Sequence, residues 1–194
     1  MNIYEPGEVE VISRKVPAAT DTTLPYKPDA DLVPPMPIFG RGFKAIVESL
    51  VHDEYGFYAP TNKAYRSLVG RLVLKIMKNI DYIFEYEGYY LEDSSVLLVS
   101  YGSTARTAYV ATHELRKRGV KAGFLRLKTL WPLDSEKLPS LSKARKIIVV
   151  ENNIGKIYMD IDRIFKDREV YPASVLSLEL PTVSEVLEVV EQWL

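Results

Sequence analysis

From Ser95 onward, runs of consecutive apolar residues alternate with stretches in which apolar positions recur every third or fourth residue. The runs are SVLLVSY (95–101), KAGFLRLKTL (121–130), KIIVVE (146–151) and SVLSLEL (174–180). A strand that is apolar at nearly every position has both faces covered, as in a parallel sheet lying between helices. The intervening stretches supply those helices. One carries Ala105, Ala108, Tyr109, Thr112 and Leu115 on a single face, and a short one lies near Ser135 to Ser142. A third presents Ile157, Ile161 and Ile164, and the last presents Val183, Val186, Leu187, Val190 and Trp193. This alternation predicts an α/β fold whose crossovers are right-handed.

The pattern changes upstream. FKAIVES (43–49) reads as a short strand and LVHDEYGFYAPTN (50–62) as a turn-rich connection, with Thr61 or Asn62 placed to cap a helix that begins near Lys63. In that helix Leu68, Leu72, Ile76, Ile80 and Ile83 form an apolar stripe beside Val69 and Val73, which predicts that the helix packs on the core. Before it, the first forty residues hold seven of the twelve prolines. Proline fixes its own φ and pushes its predecessor toward extended geometry, so this segment is expected to be an arm and not a domain. Within the arm, EVEVISRK (8–15) alternates Val9 and Val11 with polar neighbours and fits either an edge strand or a segment lying on a partner.

Composition excludes more than it suggests. Twenty-five basic residues stand against 26 acidic ones, so no broad field draws nucleic acid or an anionic membrane. No apolar run approaches the roughly 18 residues that span a bilayer, and the amino terminus lacks the order of a signal peptide, so a cytoplasmic location is expected. Cysteine is absent, which removes disulfides, thiol nucleophiles, zinc fingers and cysteine-held iron–sulfur clusters from this chain.

Three turns carry candidate chemistry. Gly102 ends an apolar run and Ser103 or Thr104 opens a helix, where unpaired N–H groups and the helix dipole favour an anion. Arg106 could add a charge-assisted contact, so Gly102, Ser103, Thr104 and Arg106 form the candidate cofactor-binding set. The plainer reading has Gly102 allowing a tight turn and Ser103 capping the helix, with nothing bound. The spacing is neither G-x-G-x-x-G nor a P-loop. At the second turn, VVENNIGKIYMD (149–160), Glu151 could face a ligand or pair with a neighbouring chain's cation, and Asn152 or Asn153 could cap the next helix. At the third, His52, Asp53 and Glu54 could hold a metal or relay protons, or form an exposed turn. His113 reads as a helix-surface residue. No G-x-S-x-G occurs, and no self-sufficient catalytic set or metal site is expected.

Taken together, VLLVSYGSTARTAYVATHELRKRGVKAGFLRLKTLWPLDSEKL (96–138) and KIIVVENNIGKI (146–157) resemble the second domain of the alpha subunit of 2-oxoacid:ferredoxin oxidoreductases of the 2-oxoglutarate type. The resemblance extends back through LVPPMPIFGRGFKAIVESLVHDEYG (32–56), with its Pro-Pro and His-Asp-Glu-x-Gly elements, and through RLVLKIMKNID (71–81). Where the family commonly has Trp-Pro-Phe-Pro, this chain has Trp131, Pro132, Leu133 and Asp134, and Lys156 stands where glutamine often follows the glycine.

The resemblance implies a three-layer α/β/α domain like the carboxyl-terminal domain of transketolase. Its five-stranded sheet would be mostly parallel with one antiparallel strand, supplied by FKAIVES. It would occupy residues 43–194, behind a Pro-rich arm and linker at 1–42. The resemblance also implies membership of an enzyme that oxidatively decarboxylates a 2-oxoacid to an acyl-CoA and reduces ferredoxin. Thiamine diphosphate, magnesium and iron–sulfur clusters would sit in partner subunits or domains, namely a pyrimidine-binding domain and a beta subunit, with none held by this chain. The family's pyrimidine-binding domain has no counterpart in these residues, so either the gene is split or this is the carboxyl-terminal piece of a longer subunit. A free-standing phosphate- or nucleotide-binding α/β module is the alternative.

Overall fold

The computed structural model describes Tyr4, Glu5 and residues 7–18 and 24–194. In chain order its elements are α1 (Asn62–Met77), α2 (Ile80–Ile83), β1 (Tyr86–Tyr89), β2 (Val96–Tyr101), α3 (Thr104–Lys117) and β3 (Ala122–Leu127). They continue with α4 (Lys137–Ser140), β4 (Lys146–Glu151), α5 (Tyr158–Ile164), β5 (Glu169–Ser174) and α6 (Val183–Glu191). Two compact units divide the chain, Met1–Lys78 and Asn79–Leu194. The division falls after α1, downstream of the 42/43 boundary read from the prolines.

The second unit holds a five-stranded sheet in the order β1-β3-β2-β4-β5. β3, β2, β4 and β5 run parallel, and β1 is antiparallel to β3. The register places Leu98 beside Phe124 on one side and beside Ile148 on the other. Alternate residues therefore face opposite layers. Val96, Leu98, Phe124, Ile148, Val150 and Ala173 meet Ala105, Ala108, Ala111 and Leu115 of α3 and Val186, Leu187 and Val190 of α6. The intervening residues Leu97, Val99, Leu125, Leu127, Ile147 and Val149 meet Phe84, Leu138, Ile161 and Phe165 on the other face. Three layers and a mixed, mostly parallel sheet follow, as the run pattern and the resemblance implied. The central strands are buried at nearly every position because helices cover both faces.

Four expectations are corrected. FKAIVES is not a strand; the antiparallel partner of β3 is Tyr86–Tyr89, with Tyr86 opposite Leu127 and Tyr89 opposite Phe124. The fifth strand is EVYPAS and not SVLSLEL. Pro172 is tolerated because β5 is an edge strand with one ladder to satisfy, whereas Leu176 and Leu178 lie exposed on the way to α6. The apolar stripe of the first helix is also not core. Thr61 caps α1 by accepting from the N–H of Ala64, but no residue of α1 is buried and Leu72 is 40% exposed. The helix stops at Met77, so Ile80 belongs to α2, where it packs on the second core layer. Finally, Val9 to Ile12 form no strand, and Val11 and Ile12 are 89% and 81% exposed, which removes the edge-strand reading of the arm.

In the first unit, α1 is the one helix among the described residues, and order elsewhere comes from turns. Lys15 pairs with both Asp29 and Asp31, and its carbonyl accepts the N–H of Met36. A bridge joins His52 to Tyr58, and the N–H of Ala59 donates to the carbonyl of Val51.

Candidate functional site

Parallel strands deliver their carboxyl ends to one edge of the sheet, where loops rather than ladders decide what is exposed. Here β2 ends at Tyr101, β4 at Glu151 and β5 at Ser174. Glu151 is 1% exposed, and the chain itself surrounds its carboxylate with donors. Oε1 accepts the N–H of Tyr158 at 2.9 Å; Oε2 accepts the N–H of Ile157 at 3.0 Å, Asn153 Nδ2 at 3.0 Å and the Tyr101 hydroxyl at 3.1 Å. Asn153 Nδ2 also donates to the Tyr101 oxygen at 2.8 Å. Burial, and then the Glu151 charge, push the Tyr101 phenol above its ordinary pKa, so it stays protonated and donating.

The two asparagines complete this turn. Asn153 Oδ1 accepts the N–H groups of Gly155 and Lys156 at 2.8 and 2.9 Å, a local closure typical of Asn. Asn152 exchanges two bonds with Ser177, Nδ2 to the carbonyl at 3.0 Å and Oδ1 from the N–H at 2.9 Å, which ties the β4–α5 loop to the β5–α6 loop. The donors that meet the Glu151 carboxylate thus come from its own chain. The signal that could have found this role is a carboxylate at a strand end followed by Asn-Asn-x-Gly.

The structure brings Gly102, Ser103 and Arg106 to the surface and turns Thr104 into the core. Gly102 has φ +59°, and Ser103 stands at the cap position with helical φ −69° and ψ −38° and makes no side-chain cap bond. Arg106 lines a hollow of about 310 Å³ with Glu87, Tyr89, Tyr109 and Arg126. Glu87 binds Lys128 at 2.8 Å and Arg126 at 3.3 Å, and the Lys128 ammonium holds its carboxyl below the usual range. His113 packs edge-on between Tyr90 and Tyr109. Asp134, at one departure from the family pattern, accepts the N–H groups of Glu136 and Lys137 and so closes the turn into α4.

The His52 cluster resolves into a turn plus one unexplained ring. Asp53 Oδ1 accepts the N–H groups of Tyr55 and Phe57 at 2.9 and 3.0 Å. Gly56 has φ +89°, and a Cβ there would run into the Ile46 carbonyl oxygen, so glycine is required on two counts. Among the described residues, no group of three or more His, Asp or Glu side chains is placed to hold a metal ion, and no helix is long and apolar enough to cross a membrane.

Residues 94–178 match the family described as pyruvate:ferredoxin oxidoreductase core domain II. The chain is 39% identical over 161 residues to the 2-oxoglutarate synthase subunit KorA of Methanocaldococcus jannaschii, covering 83% of this chain and 43% of that subunit. Against the KorA subunit of Methanothermobacter thermautotrophicus it is 33% identical over 162 residues, covering 82% and 43%. The chain therefore spans less than half the length of these relatives. A solved 2-oxoglutarate:ferredoxin oxidoreductase from Magnetococcus marinus, described with 2-oxoglutarate, coenzyme A and succinyl-CoA bound, superposes with a TM-score of 0.83 at 21% identity, over 97% of this chain and 34% of that one. At that identity the likeness establishes the fold. The stretch from β2 to β5 that Glu151 ties together thus matches a pyruvate:ferredoxin oxidoreductase core domain II, and the chain is a relative of part of the KorA subunits.

Proposed function

We propose that the chain is a non-catalytic structural domain of a 2-oxoacid:ferredoxin oxidoreductase acting on 2-oxoglutarate. Thiamine diphosphate, magnesium and the iron–sulfur clusters would be carried by partner polypeptides, including a pyrimidine-binding domain and a beta subunit. The observation that carries this reading is the enclosure of Glu151. The Glu151 carboxylate, at the carboxyl end of β4, is occupied by four donors of its own chain, and its neighbours Asn152 and Asn153 hold loops. A domain built this way presents a rigid surface and supplies no acid, base or nucleophile.

Exposed apolar residues support docking. Val11 and Ile12 stand out from the arm, and Leu176 and Leu178 stand out from a loop that Asn152 fixes in place. Apolar surface held rigidly in water marks a contact that awaits its partner.

The test is reconstitution. The full chain is combined with polypeptides supplying the pyrimidine-binding region and the beta subunit, and reduction of ferredoxin is followed with 2-oxoglutarate and coenzyme A. Turnover is expected from the assembly, with none from the chain alone and none from the partners without it. Activity of the partners at the same rate in its absence, or turnover by the chain alone, would overturn the proposal.

A further inference from the structure

The arm contains one stretch that its prolines leave alone. Pro6 and Pro17 bracket ten residues without another proline, and EVEVISRK (8–15) falls inside them. Both ends of this stretch are held. The N–H of Glu8 donates to the carbonyl of Glu5 at 3.1 Å, while the N–H of Glu5 donates to Glu8 Oε2 at 2.7 Å. At the other end Lys15 pairs with Asp29 and Asp31, and its carbonyl accepts the N–H of Met36 at 3.0 Å.

Between these anchors the main chain is unpaired. Among the described residues, no backbone N–H or carbonyl of residues 9–14 takes part in a hydrogen bond, and all six residues are exposed. From residue 10 to residue 17 the chain forms no helix, turn or bend. Val9, Val11 and Ile12 are β-branched and favour a pleated strand. Because successive side chains of such a strand point to opposite sides, Val9, Val11 and Ser13 would share one side and Glu10, Ile12 and Arg14 the other. An open row of N–H and carbonyl groups is a template for pairing with another sheet, and proline is one of the residues that block it. The rest of the arm is rich in proline, whereas this stretch has none. Contact through side chains alone would tolerate proline here; a ladder accepts it only where the N–H faces away.

We propose that residues 9–14 add as a strand to the open edge of a β-sheet in a partner polypeptide, with the main chain supplying the bonds and Val9 and Val11 facing that partner's apolar layer. The inference rests on the docking reading above. Its recipient is the polypeptide that supplies the pyrimidine-binding region, since this chain spans only 43% of the Methanocaldococcus jannaschii KorA subunit and the remainder of such a subunit has to be met. The rims of the chain's own sheet are poor recipients, because β1 spans four residues and β5 carries Pro172.

Amide exchange, read residue by residue in the full chain, free and assembled with that polypeptide, tests this. An edge strand turns every second N–H toward its neighbour. All six amides should exchange fast in the free chain, and alternate ones should slow at least about tenfold in the assembly. Val11→Pro and Ile12→Pro each remove one N–H, one of each parity. Neither is expected to move the urea midpoint of the free chain. The substitution at the protected amide should weaken assembly at least about tenfold, with the other close to the parent. An assembly that leaves residues 9–14 unprotected, protects all six alike, tolerates both prolines, or protects them only once the beta subunit is added would overturn the proposal while the docking reading stands. Absence of any assembly would overturn both.

Discussion

Tyr101 and Glu151 end adjacent parallel strands, and the phenol donates to the carboxylate across 3.1 Å. The same carboxylate accepts the N–H groups of Ile157 and Tyr158, so one buried side chain joins β2, β4 and the start of α5. Glu151→Ala would leave several buried donors without an acceptor, each costing about 1–3 kcal/mol unless water replaces it. A loss of roughly 2–4 kcal/mol in urea unfolding is expected. Glu151→Gln should lose less, because one acceptor oxygen remains. Equal stability of Glu151→Ala and the parent chain would show that these bonds carry no net stabilisation.

Leu72 and Leu98 separate two kinds of apolar residue. Leu98 is fully buried between sheet and helices, so Leu98→Ala should cost about 2–5 kcal/mol. Leu72 is 40% exposed on α1, and Leu72→Ala in the isolated chain should stay below about 1 kcal/mol. Chemical denaturation of both variants checks the contrast. A large loss at Leu72 would mean that α1 is buried in solution.

Gly56 and Gly102 both have positive φ but differ in their surroundings. A Cβ at Gly102 meets nothing within 4 Å, so Gly102→Ala should show only the left-handed backbone term, about 1–2 kcal/mol. At Gly56 the added carbon also collides with the Ile46 carbonyl. Gly56→Ala should therefore perturb its turn more, seen as faster amide exchange at Gly56 and Ala59, whose N–H groups are bonded there. The reverse order would refute the steric account.

Acid should weaken the start of α6. The Thr182 backbone N–H, and after it the Thr182 hydroxyl, hold the Glu185 carboxyl below its ordinary range in a capping box. The folded state therefore binds this proton less readily than the unfolded chain does. Its contribution is fully present above the unfolded value of about 4.3 and is lost as pH falls through the lower folded value. The urea midpoint should drop between about pH 5 and pH 3, and Glu185→Gln should flatten that limb. An identical acid limb in the variant would exclude Glu185 as a contributor.

The strands that are legible in the sequence are the ones whose burial is two-sided. VLLVSY and KIIVVE could scarcely be anything but central strands, and both are. β1 and β5 were missed because each is defined by its neighbour. Tyr86–Tyr89 has a glycine and a glutamate among four residues and becomes a strand through pairing with β3. Glu169–Ser174 contains Pro172, and the more apolar SVLSLEL beside it drew the assignment away. The α1 stripe gave a sound helix but a wrong destination, since amphipathicity says that a face will be covered and not by what. At the site, residue type was visible and direction was not. Glu151 and Thr104 stand at the expected turns, yet their side chains point into the protein, and only the packed structure decides that.

The outer strands of the sheet give little to a would-be sixth strand on either side. β1 is four residues long and its Glu87 is held among cations, while β5 interrupts its free rim with Pro172. A sheet finished in this way resists templating another chain along its rim, the route by which partly assembled β proteins aggregate. If the chain docks on other polypeptides as proposed, recognition by the second unit is left to loops and helices, where it can be undone without tearing a ladder of backbone bonds.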